Sequence, residues 1–368
     1  MTDRKICIVT SSLTNDKGSG IEREVSNLGR GLSRRGVDTC ICALQTSTAS
    51  EHLFNSLGIE VFSLSHSENG NTITPWVLTR FNSIGKKLAG YLDKQEKADW
   101  YIVVADEAIS FRRYLHDGNC AIISNGSWPL LYLDRTFHHK HPLSSKILSL
   151  DMASILRLEA TSASMYSKRF ANSNFTRSLM SFIYDVSYDG VIYPPVDKSV
   201  FYKTERTDDE GYLLVVGRSG IAGRESNRRI LEEIAKNARM KAVGGIQIKG
   251  AENVGFVSDD NLREIYSNAS FTILPSQKEY FGYTVAESLA CGTPAMVLNV
   301  GGPSEQVQDG FNGWVLSNVQ QLFKKAISVY KEGYSSKMRT NAEKSALKFE
   351  TGNVVDTLLT QLSGQASK

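Results

Sequence analysis

Apolar residues recur along this chain with two alternating rhythms. Short β-branched runs are separated by longer stretches in which apolar positions return every three or four residues. "KICIVTSS" (5–12) leads through a Gly/Ser loop into "IEREVSNLGRGLSRRG" (21–36). There Ile21, Val25, Leu28 and Leu32 share one helical face and Gly36 ends the helix. "DTCICAL" (38–44) and "IEVFSL" (59–64) read as strands, residues 78–93 as a helix, and "WYIVVA" (100–105) and "CAIISN" (120–125) as buried strands. Strands that alternate with helices predict a parallel sheet covered on both faces.

A second series follows "VIYPPVDKSVF" (191–201), whose proline pair continues neither a helix nor a central strand. The charged stretch "KTERTDDEG" (203–211) reads as solvated. Then come "YLLVVGR" (212–218), a helix over about 226–236, "NVGFV" (253–257) and a helix over about 259–268. "SFTILPS" (270–276), "AMVLNV" (295–300) and "GWVL" (313–316) are further strands, with last helices at about 319–332 and 352–363. The expected organisation is α/β, with two Rossmann-like doubly wound domains facing across a cleft. The first takes 1–195, a linker 196–210 and the second 211–345, with 346–368 a C-terminal helix that packs back on the first domain.

The composition adds exclusions. The 368 residues suit two domains better than one core. A formal net charge of +3 gives no broad drive toward nucleic acid. Cys7, Cys40, Cys42, Cys120 and Cys291 form no C-x-x-C pair and read as buried reduced thiols. The opening "MTDRKICIVTSS" fits a first strand and is too short in its apolar run for a signal peptide. No apolar stretch reaches the length of about 18 residues that a membrane-spanning helix needs. A cytoplasmic location is expected, with contact at the inner face of a membrane left open.

Chemistry is sought at the loops that follow strands, where doubly wound sheets bind ligands. "TNDKGSGIER" (14–23) carries Gly18 and Gly20 before a helix but matches no dinucleotide or triphosphate pattern. "VVGRSGIAGRESNRRI" (215–230) sets Arg218 and Arg224 around glycines; guanidinium forks suit phosphate oxygens, and a solvated basic loop is the plainer alternative. "QKEYFGYTVAESLACGTP" (277–294) is the most informative. Thr284 and Glu287 have the spacing of a capping box, with a helix starting near Thr284, Gly292 as its left-handed stop and Pro294 beyond. Capping does not need Glu279 or the glycine of "FGY".

The segment 275–316, with Glu279 and Glu287 spaced as E-x7-E, resembles the signature of retaining glycosyltransferases of the GT-B fold, family four. Segments 18–36, 169–201 and 213–218 agree with that family in order. The resemblance implies transfer of a hexose-type sugar from a nucleoside diphosphate, UDP- or GDP-linked, to a hydroxyl of a glycan or lipid-linked glycan. It implies no cofactor and a setting in cell-surface polysaccharide assembly. Glu287 would hold the ribose hydroxyls, and Glu279 the donor sugar near its reacting carbon. The amides around Phe281, Gly282, Tyr283 and Thr284 would hold the diphosphate with Arg218, Arg224 and the glycine loop at Gly20. Arg224 stands where the family has lysine, and Asn125 where many members have histidine. An amide cannot act as a general base, though it can hydrogen-bond a sugar hydroxyl.

No D-x-D motif occurs, so charge on the departing diphosphate would be met by arginines and the helix tip without a metal. "HHKH" (138–141) reads as a polar loop, and "RTFHHKHPLSSKILSL" (135–150) as a surface helix or a contact for a lipid-carried acceptor. A sugar-nucleotide epimerase, a phosphorylase and a non-catalytic sugar-nucleotide or glycan-binding protein are the competing readings.

Overall fold

The structure is a computed structural model and describes residues 4–14, 20–66, 81–104, 106–126, 142–205, 211–217 and 227–364. The chain divides into two compact units: unit 1 comprises Met1–Tyr193 with Val355–Lys368, and unit 2 comprises Pro194–Val354.

Unit 1 is built on seven parallel strands: β1 (Lys5–Leu13), β2 (Asp38–Thr46), β3 (Glu60–Ser63), β4 (Trp100–Val104), β5 (Asn119–Ser124), β6 (Lys168–Ala171) and β7 (Gly190–Val191). Their spatial order is β3-β2-β1-β4-β5-β6-β7. The order therefore reverses between β1 and β4, where Cys7 lies opposite Tyr101 and Val9 opposite Val103. Helices α1 (Gly20–Arg34), α2 (Thr48–Ser56), α3 (Phe81–Leu92), α4 (Pro142–Ser164) and α5 (Asn174–Tyr184) connect them. A 3-10 segment runs over Asp106–Arg113. Strand alternation splits the core: Cys7, Val9, Cys40, Val103 and Ile122 pack with Ile84, Leu88 and Phe111. On α1, Val25, Leu28 and Leu32 are completely buried, as the helical spacing predicts. Gly36 follows at φ 73°. All five cysteines are buried and unpaired.

Unit 2 repeats the scheme with six parallel strands: β8 (Leu213–Gly217), β9 (Met240–Gly244), β10 (Glu252–Gly255), β11 (Phe271–Leu274), β12 (Ala295–Leu298) and β13 (Gly313–Leu316). Their order is β10-β9-β8-β11-β12-β13, reversing between β8 and β11. The helices are α6 (Arg228–Ala235), α7 (Asp259–Asn268), α8 (Tyr283–Ala290), α9 (Val319–Glu332) and α10 (Lys337–Ser345); α11 (Thr351–Leu362) follows. Apolar residues of the central strands, among them Leu213, Val215, Phe271, Ile273 and Met296, form a core with Leu231, Ile234, Leu322 and Ala326 from α6 and α9. Trp314 stands edge-on to Phe271, with ring centroids 5.3 Å apart.

Candidate functional site

Each unit presents polar side chains where its strand order reverses, the position at which ligands bind in open α/β sheets. In unit 2 the loop leaving β11 crosses Ser276 and Glu279 and enters α8. Its path is fixed by backbone contacts that leave no room for side chains. The Gly302 amide donates to the Glu279 carbonyl at 3.0 Å. A Cβ on Gly302 would collide with the Tyr280 carbonyl and the Phe281 backbone, so only glycine fits. The buried Gln306 donates through Nε2 to the Phe281 carbonyl. Phe281 itself is buried and stands edge-on to Tyr283 and Phe349, with centroids 5.3 and 5.5 Å away.

The expected capping box at Thr284 does not form. The helix begins at Tyr283, and its cap is Gly282 at φ 89°, with no side-chain cap bond. Thr284 lies buried inside the first turn instead. Rather than turning back to the helix start, Glu287 receives the Tyr266 hydroxyl on Oε2 at 3.1 Å. Both are buried, Glu287 at 4% exposure and Tyr266 at 0%. The physical reason is the left-handed glycine: it turns the chain into the helix two residues before Thr284, so Thr284 cannot occupy the extended conformation of a cap. The helix tip is thus capped by backbone alone, and its positive end faces the turn that carries Glu279.

A further residue holds this arrangement, one that no motif or spacing points to. Arg339 on α10 is buried and donates to the carbonyls of Ser267 at 2.6 Å and Ala269 at 2.9 Å. It thereby places a cation at the carboxyl end of α7, one residue from Tyr266. The Thr293 hydroxyl donates to the Tyr266 carbonyl at 2.6 Å, so the tyrosine that touches Glu287 is fixed from two sides.

The structure brings Glu279, Phe281, Gly282, Tyr283, Thr284 and Glu287 together at one helix tip in unit 2. Gly20 and Asn125 belong to unit 1, where Gly20 is the exposed first residue of α1 and Asn125 follows β5. Arg218 and Arg224 lie outside the described residues, as does "HHKH". Of the stretch 135–150, residues from Pro142 onward form the start of α4.

Around Asn125 the chain gathers polar groups from four elements. The Asn125 amide N–H donates to Asp106 Oδ2 at 2.9 Å, and the Ser124 hydroxyl to Asp106 Oδ1 at 2.6 Å. Asn172, just past β6, donates through Nδ2 to Asn125 Oδ1 at 2.7 Å. Glu24 from α1 is 1% exposed, and burial pushes its carboxyl up to about 8; the nearby Asn125 amide opposes this and the Asp106 charge adds to it. Glu22, two residues earlier on α1, instead accepts from the Thr14 backbone at 2.8 Å and from the Ser12 and Thr14 hydroxyls. The sequence did carry a sign of Glu24: it lies three residues after Ile21 and four before Leu28, on the apolar face of α1.

With this geometry in view, known proteins fit it closely in fold. HepE of Anabaena in complex with UDP-glucose superposes with a TM-score of 0.69 at 15% identity, covering 98% of this chain and 99% of that one. Sucrose-phosphate synthase from Thermosynechococcus elongatus gives 0.76 at 16% identity, over 99% and 100%. The fold is GT-B. Residues 204–349, within unit 2, match the family model described as glycosyl transferases group 1. An uncharacterised glycosyltransferase of Methanocaldococcus jannaschii is 41% identical over 126 residues, 29% of this chain and 32% of the relative. D-inositol 3-phosphate glycosyltransferase of Acidothermus cellulolyticus is 34% identical over 102 residues, 27% and 23% of the two chains. The chain therefore spans a third or less of the length of these two curated relatives. Among the described residues, no helix is long and apolar enough to cross a membrane.

Proposed function

We propose that this protein is a retaining glycosyltransferase of family four, moving a hexose-type sugar from a nucleoside diphosphate to a hydroxyl of a glycan or glycolipid acceptor. The observation that carries this reading is the tip of α8: a glycine-capped helix start, with Glu279 before it and the buried Glu287 in its second turn. Helix N-termini favour phosphate, and carboxylates favour sugar hydroxyls. HepE, which shares the fold, binds UDP and UDP-glucose.

In this reading the amides at Phe281–Thr284 hold the diphosphate, Glu287 the ribose and Glu279 the transferred sugar. We also assign Arg218, Arg224 and Gly20 to donor binding. Negative charge grows on the departing diphosphate as the glycosidic bond breaks, and groups aimed at that charge act most strongly there. Losing one such donor costs about 3–4 kcal/mol of barrier stabilisation. The chain has no D-x-D motif, so we assign this neutralisation to arginines and the helix tip, without a metal or other cofactor. No carboxylate is assigned as a nucleophile. The leaving phosphate takes the acceptor proton on the face it departs from, which retains the anomeric configuration. Asn125 contributes a hydrogen bond to the acceptor in place of a base. A nucleoside diphosphate sugar linked to uridine or guanosine fits as donor. Polysaccharide assembly at the cytoplasmic face of a membrane fits as setting.

The test is incubation with UDP- and GDP-linked sugars, labelled in the sugar, with and without glycan and glycolipid extracts. Acceptor-dependent transfer with retained configuration supports the reading. An altered sugar without acceptor would assign an epimerase, and binding with no turnover a non-catalytic protein.

A further inference from the structure

Unit 1 carries a polar cluster that donor binding leaves unused. Four buried atoms there make no hydrogen bond of good geometry: Thr10 Oγ1, Glu24 Oε1, Asn125 Nδ2 and Asn172 Oδ1; the Asn125 side chain still lies close enough to Glu24 to favour its charged form, but the two do not align. Buried polar atoms are ordinarily paired, so several orphans in one region call for a ligand or bound solvent. Thr10 follows Val9, the last paired residue of β1 against β4. Asn125 and Asn172 each come one residue after the paired Ser124 and Ala171. Asn125 and Asn172 therefore stand just past the carboxyl ends of β5 and β6, and Thr10 lies within β1 beside the reversal between β1 and β4. Asn125, partly exposed, is the least buried of these residues.

The bond from Asn172 Nδ2 to Asn125 Oδ1 fixes both amides. Asn125 must then offer its N–H and Asn172 its carbonyl oxygen. A donor beside acceptors suits a hydroxyl, which both gives and receives a hydrogen bond. An anion would meet the carboxyls of Asp106 and Glu24, and an ammonium would meet the Asn125 N–H. Among the described residues no basic side chain is found to act on Glu24; Asp106 is the charged group that does, and Glu22 on the same helix is turned to Ser12 and Thr14. Burial keeps the Glu24 proton in place up to about pH 8, so the cluster stays uncharged at this carboxyl at neutral pH.

We propose that Glu24, Asn125 and Asn172 form the seat for an uncharged sugar hydroxyl of the acceptor, with Glu24 the residue that sets its preference for neutral sugars. This rests on the transferase reading. The test uses the full chain and three probes: methyl glucoside, methyl glucuronide and the methyl glycoside of glucosamine. Binding is followed by saturation-transfer NMR from about pH 6.5 to 9.5, and UDP binding to the same samples by calorimetry. Methyl glucoside should bind and the charged glycosides should not. Its affinity should fall about tenfold per pH unit once Glu24 ionises, because binding then requires uptake of a proton. In Glu24→Gln it should stay level, while UDP affinity is the same in both proteins. Equal binding of neutral and charged glycosides, binding of none, or one pH profile for both proteins would overturn the proposal. Absence of UDP binding would sink the donor reading alone, since the glucoside titration still decides this seat.

Discussion

Glu24 also makes the stability of the protein depend on pH in a direction opposite to most carboxyls. In the unfolded chain a glutamate gives up its proton at about 4.3. Inside unit 1, burial with Asp106 nearby raises this to about 8. Between those values the unfolded chain is ionised at this residue and the folded chain is not, so folding takes up a proton. Stability is then whole below the lower value, falls by about 1.4 kcal/mol for each pH unit between them, and is level above the higher one. The full loss is on the order of 5 kcal/mol, an upper figure because a buried site relaxes and admits water as it ionises. Glu24→Gln keeps the shape and removes the ionisation. Its thermal midpoint should therefore gain on wild type steadily from about pH 5 to pH 8, measured by calorimetry in matched buffers. A difference between the two proteins that stays constant over that window would refute the reasoning.

Two further outcomes can be measured on the same footing. Arg35 at the end of α1 grips Asp356 through two bonds of 2.7 and 2.6 Å, holding the aspartate below its usual range. Because both side chains are well exposed, Arg35→Ala should cost no more than about 1 kcal/mol, and the loss should vanish as pH falls through the Asp356 titration or salt rises. Gly282→Ala places a Cβ at φ 89°, 2.9 Å from Pro303 Cγ. It should lower stability by about 1–2 kcal/mol from backbone strain, plus whatever the contact adds, and weaken UDP binding at the same time; unchanged values for both would show that the tip tolerates a side chain.

The fold was legible because each central strand is a short apolar run and each covering helix keeps its period. β1, β4, β8, β11 and β12 appear within a residue or two of where the pattern put them. The strand β9 (Met240–Gly244) and the helix α10 (Lys337–Ser345) were not legible. The first is brief and interrupted by a lysine, and the second is polar, held through the buried Met338, Arg339 and Ala342. At the site, the residues around Glu279 and Glu287 could be found from their spacing, yet the local motif misled about the cap. A Thr-x-x-Glu spacing cannot report that Gly282 takes a left-handed turn or that a tyrosine from α7 reaches Glu287. The cluster in unit 1 depends still more on folding, since Glu24, Asp106, Asn125 and Asn172 are brought together only by the sheet order.

The proposed grip of the α8 tip on a nucleoside diphosphate is tested most directly by calorimetric titration of wild type and Glu287→Gln with UDP and GDP. The glutamine can still accept the Tyr266 hydroxyl, so the fold should persist, with a thermal midpoint close to wild type. Exchanging two charge-assisted bonds to ribose hydroxyls, each worth about 1.5–3 kcal/mol, for neutral ones of about 0.5–1.5 kcal/mol removes about 1–1.5 kcal/mol per bond and should weaken the preferred nucleotide by about a hundredfold. Tight and equal binding by both proteins, or no binding of either nucleotide by wild type, would contradict the account.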